Sequence, residues 1–180
     1  MASVDQQDEL YEDPDTPSAL RRGQLAWTAE LLDFEDGRFP VPVLDQVGIR
    51  RLLAGRPRIA IVGASPDPTR PSHGVLLDLA GLGFDVVPVN PIAERVADRT
   101  CYPTLRAAVE AIGQIDIVDV FRVPPACPDH AREAVKIGTR CLWLQLGIVS
   151  LEAARIAHDA GLEVVMNRCL GVDALRFADA

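Results

Sequence analysis

Lysine is nearly absent from this 180-residue chain. Lys136 is the only one, and the remaining basic residues are all arginines. Any anion bound here must be met by guanidinium groups, backbone amides or hydroxyls. Histidine is scarce too: His73, His130 and His158 stand far apart. The four cysteines, Cys101, Cys127, Cys141 and Cys169, form no C-x-x-C or other metal-ligand spacing. The pattern argues against a metal site and for reduced thiols in a cytoplasmic protein. No apolar run approaches the length of about 20 residues that a membrane helix needs. The N-terminus is acidic and polar, unlike a secretory signal. Aromatic residues make up only 5% of the chain and hydrophobic residues 48%, which suits an α/β protein built from Val, Ile, Leu and Ala.

A basic footprint for nucleic acid is missing as well. The net charge is −8, and residues 1–16 contribute six acids (Asp5, Asp8, Glu9, Glu12, Asp13, Asp15) without a Lys or Arg. The body of the protein is therefore close to neutral, at −2. Residues 1–18, with Pro14 and Pro17, read as a flexible acidic tail. Residues 19–44 read as a partly helical extension in which Leu20, Trp27, Leu31 and Phe34 share a face. Two uses of it stand open: a docking arm or dimer contact, and a packing cover over the main domain, residues 45–180.

From Arg58 onward, strand and helix patterns alternate. Strands are expected at 58–62, 84–89, 115–121, 140–146 and 163–167. Helices are expected at about 45–54, 73–82, 104–112, 126–137, 150–160 and 171–178. Nearly continuous apolar strands such as Cys141-Leu-Trp-Leu suit a parallel sheet covered on both faces. The expected fold is a doubly wound, Rossmann-like, five-stranded and mainly parallel sheet with helices on both faces. Ligands of such sheets bind at the carboxyl ends of the strands. Those ends are Gly63-Ala-Ser, Pro88-Val-Asn-Pro91, Phe121-Arg122, Gln145-Leu-Gly147 and Met166-Asn-Arg-Cys169.

The first of these ends opens the stretch Gly63-Ala-Ser-Pro-Asp-Pro-Thr-Arg-Pro-Ser72. A strand, a glycine turn and a helix aim loop amides and the helix's first N–H groups at one spot suited to phosphate or pyrophosphate. Ser65, Arg70 and Ser72 add side-chain donors. A dinucleotide site of the NAD type wants G-x-G-x-x-G and an acid ending strand two. Here the second and third glycines are missing and Asn90-Pro91 ends that strand, which disfavours NAD.

Six ordered motifs carry a resemblance: Val62-Gly-Ala-Ser-Pro, Arg70-Pro-Ser72, Val87-Pro-Val-Asn-Pro91, Val118-Asp-Val-Phe-Arg122, Leu142-Trp-Leu-Gln-Leu-Gly147 and Val165-Met-Asn-Arg-Cys169. Over about residues 45–178 the chain resembles the small stand-alone CoA-binding proteins, a family similar to the N-terminal CoA-binding domain of the succinyl-CoA synthetase alpha subunit. The resemblance implies CoA or a short acyl-CoA in the crevice. It places Gly63, Ala64 and Ser65 along the pyrophosphate, with Arg70 and Ser72 near the phosphates. Asn90 and Pro91 would border the adenosine, and Phe121 and Arg122 the pantetheine or phosphates. Gln145 and Gly147 would flank the path to the thiol. Where the family often has Lys after Asn-Pro, this chain has Ile92, which leaves the 3′-phosphate to Arg95 or Arg99. Asn167 stands where an aspartate is common, and His73 where Tyr or Asn is usual.

Related CoA ligases pass a phosphate through a histidine outside this domain, so the resemblance implies a non-catalytic binding module. His73 reads either as a phosphate or acid–base group or as a surface residue opening a helix; His130 and His158 read as solvent-facing. Cys169 reads either as a thiol exchanging with CoA or as a small buried hydrophobe. Arg122 and Arg168, at strand ends, are expected to meet anions, whereas Trp143 and Phe121 read as core. An NAD(P)-dependent oxidoreductase or redox sensor on the same fold, and an interaction protein with a vestigial crevice and a docking tail, are the competing functions. A protein partner or a homo-oligomer is compatible with either.

Overall fold

The computed structural model describes residues 29–177. The acidic tail, Leu20 and Trp27 lie outside the described residues. Helix α1 covers residues 29–35 and α2 Gln46–Ala54. Then follow β1 (Ile59–Val62), α3 (Pro71–Gly81), β2 (Val86–Val89), β3 (Arg95–Val96), β4 (Arg99–Thr100), α4 (Leu105–Ile112), β5 (Ile117–Val120), a 3-10 turn (Pro124–Ala126), α5 (Cys127–Lys136), β6 (Cys141–Leu144), α6 (Leu151–Asp159), β7 (Glu163–Val165) and α7 (Leu170–Phe177). Five strands form one sheet in the order β2-β1-β5-β6-β7, with every pairing parallel. The expected Rossmann-like α/β fold is what the chain adopts.

The strands are apolar because both faces of the sheet are covered. Side chains alternate between faces. Ala60, Val62, Val118, Val120, Leu142 and Leu144 pack against α4, α5 and α6. Ile59, Ile61, Ile117, Cys141 and Trp143 pack against α2, α3 and α7. Asp45, Thr104 and Ser150 start α2, α4 and α6 by accepting from the N–H groups of Gly48, Ala107 and Ala153, each such cap contributing about 1 kcal/mol. At the amino end of the sheet, Arg58 pairs with Asp85 and donates to the carbonyls of Ile112 and Gln114.

A hairpin escaped the sequence reading. β3 and β4 pair antiparallel around Ala97 and Asp98, which both take positive φ (47° and 60°). The usual Asn-Gly signal of such a turn is missing. Beyond it, Tyr102 N–H donates to Pro88 O and Asn90 N–H to Tyr102 O, so the chain runs on along the outer side of β2. Pro88 is tolerated in this buried strand because β2 ends the sheet and one of its flanks carries no full strand ladder.

The described part of the N-terminal extension packs on the domain. Leu31, Phe34 and Phe39 lie against the core, the two phenyl rings edge to face at 5.4 Å. Glu30 accepts from Leu151 N–H at the start of α6. Leu44 N–H donates to Val164 O, blunting the open edge at β7.

Candidate functional site

The strand order reverses between β1 and β5, since β2 lies on one side of β1 and β5, β6 and β7 on the other. Loops leaving β1 and β5 therefore part in opposite directions and open a crevice, the switch point at which ligands of such sheets bind. Gly63 stands at its floor with φ +85°. A Cβ there would lie 2.8 Å from Phe121 O and 3.0 Å from the Arg122 side chain. Only glycine lets these two loops meet.

The loop from Gly63 to Arg70 is braced from within. Ser65 N–H donates to Ser72 Oγ (3.1 Å), Asp67 N–H to Ser65 Oγ (3.2 Å), and Thr69 N–H and hydroxyl to Asp67 Oδ1. The Thr69 groups, N–H first, hold the Asp67 carboxyl below its usual range. His73 Nδ1 lies 2.9 Å from Ser65 O, and a carbonyl only accepts, so this nitrogen carries the proton. The sequence suggests a whole cradle of free amides, and here the structure differs. Pro66, Pro68 and Pro71 have no N–H, and most other amides of the loop are spent internally. The N–H groups of Ala64 and Ser72 find no protein acceptor among the described residues. Helix α3 begins with Pro71 and has no side-chain cap, so its positive end is open toward the crevice.

Arginines sort into two kinds. Arg168 donates to both oxygens of the buried Asp173 (2.7 and 2.6 Å), so it is committed to a protein carboxylate. The anion it meets is the protein's own carboxylate. Arg70 and Arg122 are exposed and enter no ion pair or hydrogen bond through their guanidinium groups among the described residues. Arg99 donates to Val86 O (3.1 Å), at the amino end of β2, and Arg95 to Asp98 O. Arg95 is engaged on the hairpin and Arg99 on the amino end of β2, neither at the carboxyl ends of the strands.

Asn90 is a clamp. Its Nδ2 donates to Ala64 O (2.8 Å), and its Oδ1 accepts from Ile92 N–H (2.9 Å) and Ala93 N–H (3.3 Å). It ties the β2 end to the β1 loop and leaves no acid where an NAD site would have one. Pro91 is exposed beside it. Phe121 packs against the apolar layer of α2, α3 and α7, as do Cys169 and Trp143. Gly147 (φ +79°) donates its N–H to Asn167 Oδ1 (2.8 Å), joining the ends of β6 and β7. Gln145 is buried and donates to Asp119 Oδ2 (2.9 Å).

A cavity of about 130 Å³ opens between the ends of β2, β1 and β5, lined by Gly63, Pro91, Thr104, Arg122, His130 and Glu133 among others. His130, expected to face solvent, lies in its wall with Nδ1 3.0 Å from Glu133 Oε2. Helical spacing alone carried no signal for this, because the wall is made by β2 and α4, distant in sequence. A larger concavity of about 320 Å³ lies by Pro42–Leu44 and Gly161–Val164. It is at the amino end of β7, away from the strand carboxyl ends.

Asp119 is the other feature the sequence reading passed over. It lies in mid-sheet, 0% exposed, and its Oδ1 has no hydrogen-bond partner among the described residues. Burial pushes its carboxyl well above the usual range, and the Gln145 amide only partly offsets this. The folded state then holds a proton that the unfolded chain releases near pH 3.9. Stability from this proton is full below that pH and declines as pH rises toward the folded value. The decline is about 1.4 kcal/mol per pH unit in that window. Asp119→Asn has no such proton, so its stability relative to wild type is expected to grow from pH 5 upward in paired urea denaturations. Parallel curves would show that Asp119 is not held protonated.

Among the described residues, no group of three or more His, Cys, Asp and Glu is placed to hold a metal. No described helix is long and apolar enough to cross a membrane. Cys127 is pushed up to about 12 by burial, and burial raises Cys101 and Cys141 as well.

Comparison with known proteins agrees with this geometry. The chain is 34% identical over 124 residues to the uncharacterized protein YneT of Bacillus subtilis, covering 69% of this chain and 90% of that one. A hypothetical protein from Pyrococcus horikoshii shares the fold with a TM-score of 0.70 at 36% identity, over 74% of this chain and 92% of its own. The dinucleotide-forming acetyl-coenzyme A synthetase 1 of Ca. Korarchaeum cryptofilum matches at 25% identity with a TM-score of 0.55. That match covers 66% of this chain and 28% of the synthetase. Residues 57–174 match the pattern of the CoA binding domain, and the chain belongs to the CoA-binding domain family.

Proposed function

We propose that this protein binds coenzyme A or a short acyl-CoA in the switch-point crevice and acts as a non-catalytic binding module. One observation carries the reading: the start of α3 without a side-chain cap and two arginines that make no ion pair among the described residues, Arg70 and Arg122, flank the glycine turn after β1. Anions are favoured at such a helix start, and guanidinium groups bind phosphate oxygens in pairs. The Ala64 and Ser72 N–H groups would take the pyrophosphate. The cavity beside Pro91 and Arg122 would take the adenosine. The pantetheine arm would run across the ends of β5 and β6, past Phe121, Gln145 and Gly147. Val123 and Leu146, 61% and 68% exposed at those ends, offer apolar surface to the arm or to an acyl chain.

Support for the non-catalytic part comes from how the reactive groups are used. His73 is tied to Ser65 O, His130 pairs with Glu133, and Cys101, Cys127 and Cys141 are buried thiols. The NAD(P) alternative draws no support from β2, where Asn90 is spent as a clamp. Calorimetric titration of the reduced protein is the test. CoA is expected to bind at micromolar concentration, dephospho-CoA more weakly, and NADH not at all. Saturable NADH binding with none for CoA would overturn the reading.

A further inference from the structure

Asp119 has no explanation in stability. An acid in the middle of a central strand costs more than an apolar residue of similar size unless it is paired and fully hydrogen-bonded. Here no cation reaches it among the described residues, Oδ1 is unsatisfied, and the single partner is Gln145 Nε2 at 2.9 Å. By register Asp119 lies opposite Ile61 and Trp143. Gln145 is two residues past Trp143, so it leaves the sheet on the same face, at the carboxyl end of β6. The Gln145 amide has a second N–H and a carbonyl oxygen, and its one side-chain hydrogen bond among the described residues is the one to Asp119. A secondary amide offers one acceptor and one donor, which is their complement.

We propose that Asp119 is a positioning residue: from inside the sheet it fixes the side-chain amide of Gln145 so that Gln145 reads an amide of the pantetheine arm. This rests on the CoA reading above. Asp119 itself touches no ligand. Being held neutral by burial, it is closely mimicked by asparagine, which keeps one group to accept from Gln145 and one to donate.

The test compares CoA with adenosine 3′,5′-bisphosphate, which lacks the arm, by calorimetry on wild type, Asp119→Asn, Asp119→Leu, Gln145→Leu and the double leucine variant. Wild type failing to bind CoA would defeat the CoA reading itself. Given wild-type CoA binding, Gln145→Leu and Asp119→Leu are each expected to weaken CoA about five- to tenfold. The bisphosphate should bind all variants equally. The double variant should be no worse than either single one, and Asp119→Asn should stay within about twofold of wild type. The proposal is overturned if Asp119→Leu or Gln145→Leu binds CoA like wild type, if the leucine variants lose both ligands alike, or if Asp119→Asn loses as much CoA affinity as Gln145→Leu. Should Asp119→Leu fail to fold, Asp119→Ala, which also removes the acceptor of the Gln145 bond, takes its place, and CoA binding like wild type in that variant overturns the proposal.

Discussion

Gly63→Ala is expected to destabilise the protein by roughly 2–6 kcal/mol and to abolish measurable CoA binding with it. Two costs combine. The positive φ of +85° costs an L-residue on the order of 1–3 kcal/mol. The new Cβ would also meet Phe121 O at 2.8 Å, a backbone atom that cannot swing aside, and overpacking of this kind costs about 1–3 kcal/mol more. Relief requires the β1 and β5 loops to part, which moves Arg122 and the Ala64 N–H away from each other. Gly147 supplies the control. Its φ is also positive, +79°, but nothing lies within 4 Å of a Cβ built there. Gly147→Ala should therefore lose only the conformational part, on the order of 1–3 kcal/mol. Urea denaturation of the two variants separates the terms; equal losses would show that the loop approach at Gly63 is not tight.

The second large effect concerns charge. Arg122→Ala should weaken CoA by about 10- to 100-fold, since a hydrogen bond to a charged group contributes about 1.5–3 kcal/mol and 1.4 kcal/mol is a factor of ten. Arg70→Ala should weaken it less, because Arg70 is exposed at the loop's outer end. Both losses should shrink as salt is raised. Dephospho-CoA resolves where Arg122 acts. If Arg122 grips the pyrophosphate, the variant loses the same factor for both ligands; if it grips the 3′-phosphate, dephospho-CoA is unaffected. Arg168→Ala is the contrast: it strands Asp173, which is 3% exposed, so stability should fall while the affinity of the folded fraction for CoA holds. An Arg122→Ala protein that binds CoA as wild type does would remove the main electrostatic support for the proposed site.

Glycine 63 and Arg122 also show how differently sequence and structure inform the site. The glycine is legible because a turn after an apolar strand must bend sharply there. The arginine is legible as a strand-end cation, but so is Arg168, and nothing in the chain's order separates them. Asp173 lies five residues after Arg168, and whether it turns toward that arginine depends on how α7 docks against α2 and α3. Asn90 is similar. Its place at the end of β2 is read easily, but its use as a clamp on Ala64 needs two loops 26 residues apart to meet.

By itself, then, the sequence determined the alternation of strands and helices, the parallel sheet buried on both faces, the glycine turn and the family. These rest on hydrophobic periodicity and turn chemistry, which act over a few residues and are written consecutively along the chain. Tertiary structure alone decided the partner of each polar side chain: the exposed Arg122 against the paired Arg168, the spent Asn90, His130 in the cavity wall, and Asp119 beneath Gln145. A hydrogen bond needs its partner within about 3 Å, and only the closed sheet brings groups from distant segments that near.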